Sequence, residues 1–157
     1  MLLNKQLIHF NFSSRKGKGI AYIVVHDTGN PSAGADAMAH YRYFSGANRG
    51  ASAHYFVDDH GVVQVIEDAY AAWHCGDGRG AHGITNGNSI GVEICIHQGI
   101  DRKRALAHAR DLVKELMAFY GIPRDHVVRH YDASRKICPA SMAKNNWAEW
   151  WGFWESL

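Results

Sequence analysis

The chain is poor in cysteine, nearly balanced in charge and without a long apolar run, and each shortage removes a class of protein. Cys75, Cys95 and Cys138 are the only thiols, an odd number at wide spacing. That argues against a disulfide framework and suits a reducing compartment, where a thiolate is free to hold a metal. The net charge is +2 at pH 7, whereas a nucleic-acid binder carries a basic stripe or a far higher isoelectric point. Two basic stretches stand out. Arg102-Lys103-Arg104 opens an expected helix and reads as a solvated face; Ser13 to Lys18 could touch an anionic polymer. No nucleic-acid partner is expected. No segment approaches the ~18 apolar residues of a spanning helix, so no integral membrane association is expected. Met1 to Phe12 lacks the apolar core and small-residue cleavage site of a secretory signal. Synthesis in the cytoplasm without a signal peptide is the expectation.

There is neither an internal repeat nor a low-complexity linker, and 157 residues fit one domain. A domain of this size buries about 70% of the surface of its unfolded chain, enough for a core without staples. Ile20 to His26 reads as a strand that breaks at Asp27-Thr28-Gly29-Asn30-Pro31. Ala35 to Phe44 can be a helix ended by Ser45-Gly46. His54 to Asp58 and Val62 to Ile66 flank Asp59-His60-Gly61 as a hairpin. Cys75 to Asn88 is glycine-rich and reads as a long loop, followed by a strand over Ser89 to Ile96. Leu106, Ala109, Leu112, Val113, Leu116, Met117 and Tyr120 recur at helical spacing, and Gly121 with Pro123 ends the run. Val127 to His130 reads as a last short strand. The mixture predicts an α/β (α+β) fold: a single domain with a mixed central β-sheet flanked by helices. Trp147, Trp150, Trp151 and Trp154 fall on one face of a C-terminal helix. That stripe is expected to pack on the domain; the other reading is an aromatic patch for a partner.

Three residues suggest a metal. Zinc prefers neutral imidazole and thiolate, and a catalytic site supplies three protein ligands and leaves a fourth position for water. His130 and Cys138 lie close together in the sequence, and His26 ends the first strand, where its side chain can project past the sheet edge. With eleven histidines in the chain, no single one is specific; the joint pattern carries the argument. On the strand Ser89 to Ile96, Ile90, Val92, Ile94 and Ile96 share one face, and Ser89, Gly91, Glu93 and Cys95 the other. Glu93 is thus a carboxylate among small residues on an apolar strand. It is either paired with a nearby cation for structural reasons or placed as a general base toward a metal-activated water.

Five blocks then stand in a familiar order: Val25-His26-Asp27-Thr28-Gly29; Ser52-Ala53-His54-Tyr55-Phe56-Val57-Asp58-Asp59; Trp73-His74-Cys75-Gly76-Asp77-Gly78; Ser89-Ile90-Gly91-Val92-Glu93-Ile94-Cys95; and Arg129-His130 with Lys136-Ile137-Cys138-Pro139. Together they resemble the type-2 N-acetylmuramoyl-L-alanine amidases, a family of phage endolysins, bacterial autolysins and peptidoglycan recognition proteins. The resemblance runs from about Ile20 to Ala140. It implies one zinc ion on His26, His130 and Cys138, in a cleft on one face of the sheet. It also implies Glu93 acting on the water, Lys136 steadying the oxyanion, and His54, Trp73 and His74 lining the substrate groove. The bond cut would join the muramic lactyl group to L-alanine of the stem peptide. On this reading residues 1–143 form the amidase domain and 144–157 a tryptophan-rich helix. The partner is peptidoglycan, the protein is a monomer, and it acts on the cell wall after holin-type release of a phage or prophage enzyme.

Alternatives remain at this stage. A fourth ligand from Cys75 or Cys95 would make the site structural, although either thiol could be small buried packing. Asp132 could replace the cysteine as ligand or stand behind one. A non-catalytic recognition module would keep the groove without the metal, and a cysteine hydrolase would use Cys138 with His130 as base.

Overall fold

The computed structural model describes residues 2–157; Met1, part of the segment read for a signal and of the amidase domain, lies outside the described residues. Six strands form the main sheet: β1 (Leu3–Lys5), β3 (Tyr22–Asp27), β4 (Tyr55–Val57), β5 (Val62–Gln64), β7 (Ser89–Ile94) and β8 (Val127–Arg129), in the order β1-β5-β4-β7-β3-β8. The β4–β5 pair is antiparallel, a hairpin; the other four pairings are parallel. The expected mixed sheet is present. A small antiparallel pair, β2 (Phe12–Ser14) with β6 (Tyr70–Ala72), lies apart from it.

Alternation along the central strands sorts the two faces. Ile23 and Val25 of β3, Ile90, Val92 and Ile94 of β7, and Tyr55 and Val57 of β4 enter one cluster with Ala109, Leu112, Val113 and Leu116 of α2 (Arg102–Tyr120). The Asp101 carboxylate caps that helix at the Arg104 amide, and Gly121, at φ 66°, ends it. On the other face Phe56, Val63 and Cys95 pack with Ala37 of α1 (Ala37–Gly46). Parallel interior strands covered on both sides read as nearly continuous apolar runs, as β3 and β7 do. The residues that break the run, His26 and Glu93, sit side by side in register near the carboxyl ends of their strands. Ligands in open α/β sheets gather at that edge.

Three differences from the sequence reading follow from short-range geometry. β1, β2 and β6 have three residues each, too few for a period to show. His130 does not end the last strand; it opens a five-residue helix, α3 (His130–Ser134). The C-terminal element α4 (Lys144–Glu155) begins with Asn145, Asn146 and Trp147 at φ 51°, 53° and 66°, a left-handed turn that asparagine tolerates better than most residues. The four tryptophans therefore do not line one regular helical face. Trp150 is in the main core; Trp154 gives its indole N–H to the carbonyls of Arg124 (3.0 Å) and Val127 (3.1 Å); Trp151 is exposed. The Trp147 ring lies 5.4 Å from that of Tyr131 with the Arg129 guanidinium 4.4 Å above it, a cation–π contact.

Candidate metal centre

His26, at the end of β3, meets His130, just past β8, and Cys138, which follows α3. One donor atom from each lies within 4.8 Å of the others, and all three residues are buried. His26 Nδ1 stands 3.7 Å from Cys138 Sγ. The loop carrying the thiol is held by the Tyr131 amide, which donates to the Cys138 carbonyl at 3.1 Å.

The tautomers follow from the surrounding hydrogen bonds. The Ser89 hydroxyl donates to the Thr85 carbonyl at 2.6 Å, so its oxygen accepts from His74 Nε2 at 3.1 Å. His74 Nδ1 is then the acceptor for His26 Nε2 at 3.0 Å, which leaves His26 Nδ1 with a lone pair facing the thiol. The same logic applies to His130. Its Nε2 donates to Asp77 Oδ1 at 2.7 Å, and its Nδ1 is buried without a partner. Two imidazole Nδ1 atoms and one sulfur thus converge, each ring oriented from behind through its other nitrogen, the arrangement that metal-binding histidines use. Burial, then the neighbouring His130 and Lys136, holds the His26 pKa well below 6.5. Burial and the facing His26 do the same to His74. Neutral rings are what a divalent cation requires. Burial, with Glu93 adding, pushes the Cys138 thiol up to about 12; a bound cation reverses that balance, since a coordinating thiol is deprotonated outright.

Glu93 extends toward this cluster, with Oε1 3.9 Å from His26 Nδ1 and Oε2 buried without a partner. Burial raises its carboxyl to about 8, Asp27 adding and Lys136 opposing. No Arg or Lys forms an ion pair with it among the described residues, so the purely structural reading of Glu93 has no partner to rest on. The exposed Lys136 lines a cleft of about 320 Å³ together with Trp73, His74, Asp77 and His130.

Gly91 makes room for this arrangement. A Cβ there would come within 2.6 Å of the His74 ring, so the bare backbone of β7 is the floor on which that imidazole lies. Gly78 has a related part: a Cβ would collide with the Ala133 carbonyl oxygen, and its absence lets the loop carrying Asp77 close on α3 beneath His130. The sequence reading did not single out Asp77 or Ser89. The only signal for Asp77 was a carboxylate inside the quoted Trp73-to-Gly78 block.

Other candidates fall elsewhere. His54 is fully buried; its Nδ1 accepts from the Gly91 amide at 3.0 Å and its Nε2 donates to the Tyr70 carbonyl at 3.0 Å. Burial lowers its pKa to about 3, and it ties strands together rather than lining a groove. Asp132 is committed to Arg129, 2.7 Å from Nη2, and is not in the three-donor cluster. Cys75 packs with Val24, Ile84 and Ala133, and Cys95 with Phe56 and Ala37. Neither thiol joins the cluster.

A mixed sheet with two imidazoles, a thiol and a carboxylate at the carboxyl edge of its parallel strands defines a class: α/β domains with a three-donor cluster that could hold a metal ion. The comparisons are narrower. Residues 16–141 match the family model described as N-acetylmuramoyl-L-alanine amidase. The amidase CwlH of Bacillus subtilis (strain 168) is 36% identical over 142 residues, covering 89% of this chain and 56% of its own length. The amidase XlyA of the same organism is 41% identical over 121 residues, covering 77% of this chain and 40% of its own length. The solved catalytic domain of XlyA superposes with a TM-score of 0.85 at 35% identity, covering 99% of both chains. A solved mutant endolysin from Bacillus subtilis gives 0.86 at 35% identity, covering 99% of this chain and 98% of its own. This chain belongs to the N-acetylmuramoyl-L-alanine amidase family. It spans about half the length of the two full-length relatives, or somewhat less.

Proposed function

We propose that this protein is a zinc-dependent peptidoglycan hydrolase of the endolysin type, cutting the amide between the lactyl group of N-acetylmuramic acid and L-alanine of the stem peptide. One observation carries the reading. His26 and His130 each have Nε2 occupied, by His74 and Asp77, and their Nδ1 atoms converge with the Cys138 thiol beside an unpaired Glu93 carboxyl. Two nitrogens and a sulfur are a donor set that suits zinc, and three ligands leave a corner for solvent. Family membership and the names of the relatives supply the substrate class.

A zinc ion held by those three residues supplies Lewis acidity toward the amide carbonyl and lowers the pKa of water toward about 7 in the best cases. Glu93 receives the proton of the attacking water and returns it to the departing alanine amine. The Glu93 carboxyl stands beside the three donors with no ion-pair partner of its own, so it is placed to hold the proton between the two transfers, and a cation bound there would favour the carboxylate that the first of them needs. Lys136, at the rim of the cleft, places a positive charge where the carbonyl oxygen becomes negative. Contacts of that kind are commonly worth about 3 kcal/mol of barrier. Trp73 and His74 wall the cleft and exclude water from one side of the substrate.

The reaction is tested by digesting purified cell walls and following released amino groups and fragment masses. Muramic lactyl carboxyl and L-alanine amino ends are the expected products; new reducing sugar ends, or cuts inside the stem peptide, overturn the reading. Cys138→Ser should lose stoichiometric zinc and activity together. Glu93→Ala should keep zinc and lose turnover. A cysteine hydrolase would instead survive a strong chelator, and a recognition module would purify without zinc.

A further inference from the structure

A second cleft adjoins the metal centre, and the function does not yet account for it. It encloses about 320 Å³ and shares Gly76 and Asn86 with the metal cleft. Arg15, Lys16, Lys18 and Arg79 line it, with Ser13, Ser14 and Thr85, and no acidic residue contributes. None of the four cations forms an ion pair among the described residues.

Arg15 is the anchor. It is 7% exposed, and a cation buried to that degree is costly unless its charge is matched. Its Nε donates to the Asp68 carbonyl at 2.7 Å and its Nη1 to the Gly87 carbonyl at 2.9 Å. Nη2 lies 3.1 Å from His54 Nε2, a nitrogen already donating its own proton to Tyr70, so Nη2 finds no acceptor there. The Asp68 carboxylate, which accepts from the hydroxyls of Tyr55 (2.9 Å) and Tyr120 (2.8 Å), offsets part of the cost of the buried Arg15 charge from beyond ion-pair distance, and the three exposed cations of the cleft have no such partner. Around this buried charge stand three solvent-facing cations. The Lys18 stem lies across Gly87, where a Cβ would come within 3.1 Å of its Cδ. Unpaired guanidinium and ammonium groups around one concavity attract oxyanions, and their charge-assisted hydrogen bonds are about twice as strong as neutral ones.

We infer that this cleft is a subsite for an oxyanion of the wall substrate, engaged while the scissile amide occupies the metal cleft. The inference rests on the amidase reading for the identity of the substrate. Two parts of a wall polymer offer such a group: a free carboxylate on the stem peptide and a phosphodiester of an attached anionic polymer. The adjacency of the two clefts favours the carboxylate, because the stem peptide begins at the bond to be cut.

The test compares wild type with two charge-matched triple variants. Lys16→Gln/Lys18→Gln/Arg79→Gln empties the cleft of its exposed cations. Arg104→Gln/Lys114→Gln/Lys144→Gln removes the same charge from exposed positions outside it. Kinetics are measured on a soluble N-acetylmuramoyl peptide with free carboxylates, on its amidated counterpart, and on walls before and after removal of phosphate polymers with hydrofluoric acid. The cleft variant should raise KM about tenfold on the free-carboxylate peptide with kcat within about twofold, a loss of ground-state binding. The effect should disappear on the amidated peptide and the control variant should match wild type. A KM change seen only on unstripped walls would assign the subsite to the phosphodiester. Equal effects of the two variants, or none, would overturn the proposal in favour of overall charge or of no role. If wild type releases no L-alanine amine from any substrate, the amidase reading falls separately. The anisotropy of a fluorescein-labelled muramyl peptide then still reads the cleft, and equal binding by all three proteins would reject it.

Discussion

Replacing Glu93 by glutamine in metal-free protein should change the pH dependence of stability. The Glu93 carboxyl is held at about 8 in the folded chain, against an ordinary value of 4.5. Between those two pH values the folded state holds a proton that the unfolded state has released. Stability from this group is therefore complete below pH 4.5, falls as pH rises, and is fully lost above about pH 8. The gap of about three and a half pH units, at ~1.4 kcal/mol each, sets a ceiling near 5 kcal/mol. The side chain is 19% exposed, so water recovers part of that cost and a difference of about 2–4 kcal/mol is expected. Glutamine has a similar shape and does not titrate. Urea unfolding of both proteins in a chelator, followed by tryptophan fluorescence at pH 5, 6.5 and 8, reads the effect, because titrating groups remote from Glu93 cancel in the difference. The variant should gain on the wild type steadily as pH rises. A difference that stays constant within ~0.5 kcal/mol between pH 5 and pH 8 would mean that Glu93 is not a desolvated carboxyl, and the argument for its role as base would go with it.

Asp77→Asn should weaken zinc binding about 10- to 100-fold while leaving the fold intact, as measured by competition with a chromophoric chelator; unchanged affinity would show that Asp77 does not orient His130. Gly91→Ala should push the His74 ring from its floor. A stability loss of about 1–3 kcal/mol is expected from overpacking, with weaker zinc binding as His26 loses its partner, both readable by denaturation and by the same chelator competition. Trp150→Ala should cost about 3–5 kcal/mol, because the ring is 1% exposed within the main core; Trp151→Ala, at an exposed position, should cost far less. Thermal or urea unfolding separates the two.

Long periodic segments were legible without coordinates. The α2 pattern from Leu106 to Tyr120, stopped by Gly121, and the runs into His26 and through Glu93 contain their own evidence, since a helix or a buried strand repeats its apolar face several times. The order of the motif blocks brought out the three candidate ligands and Glu93. His54 shows the limit. In sequence it belongs to one of those blocks, yet both ring nitrogens are spent on backbone groups of β7 and of the residue opening β6. Trp147 shows another, because helical spacing presumes a right-handed backbone that Asn145 and Asn146 do not adopt.

What the sequence determined by itself was local and chemical: which residues could donate to a soft divalent cation, which carboxylate sat on an apolar strand, and which segments had to be buried. The tertiary structure alone decided which nitrogen of each histidine is free. That depends on His74 and Asp77, whose imidazole and carboxylate reach His26 and His130, and on Ser89, whose hydroxyl fixes the His74 tautomer, only after β3, β7 and the Cys75–Asn88 segment have packed. It also gathered Arg15, Lys16, Lys18 and Arg79 around one concavity. Charges more than sixty residues apart in the chain share a field only when the fold has closed the distance between them.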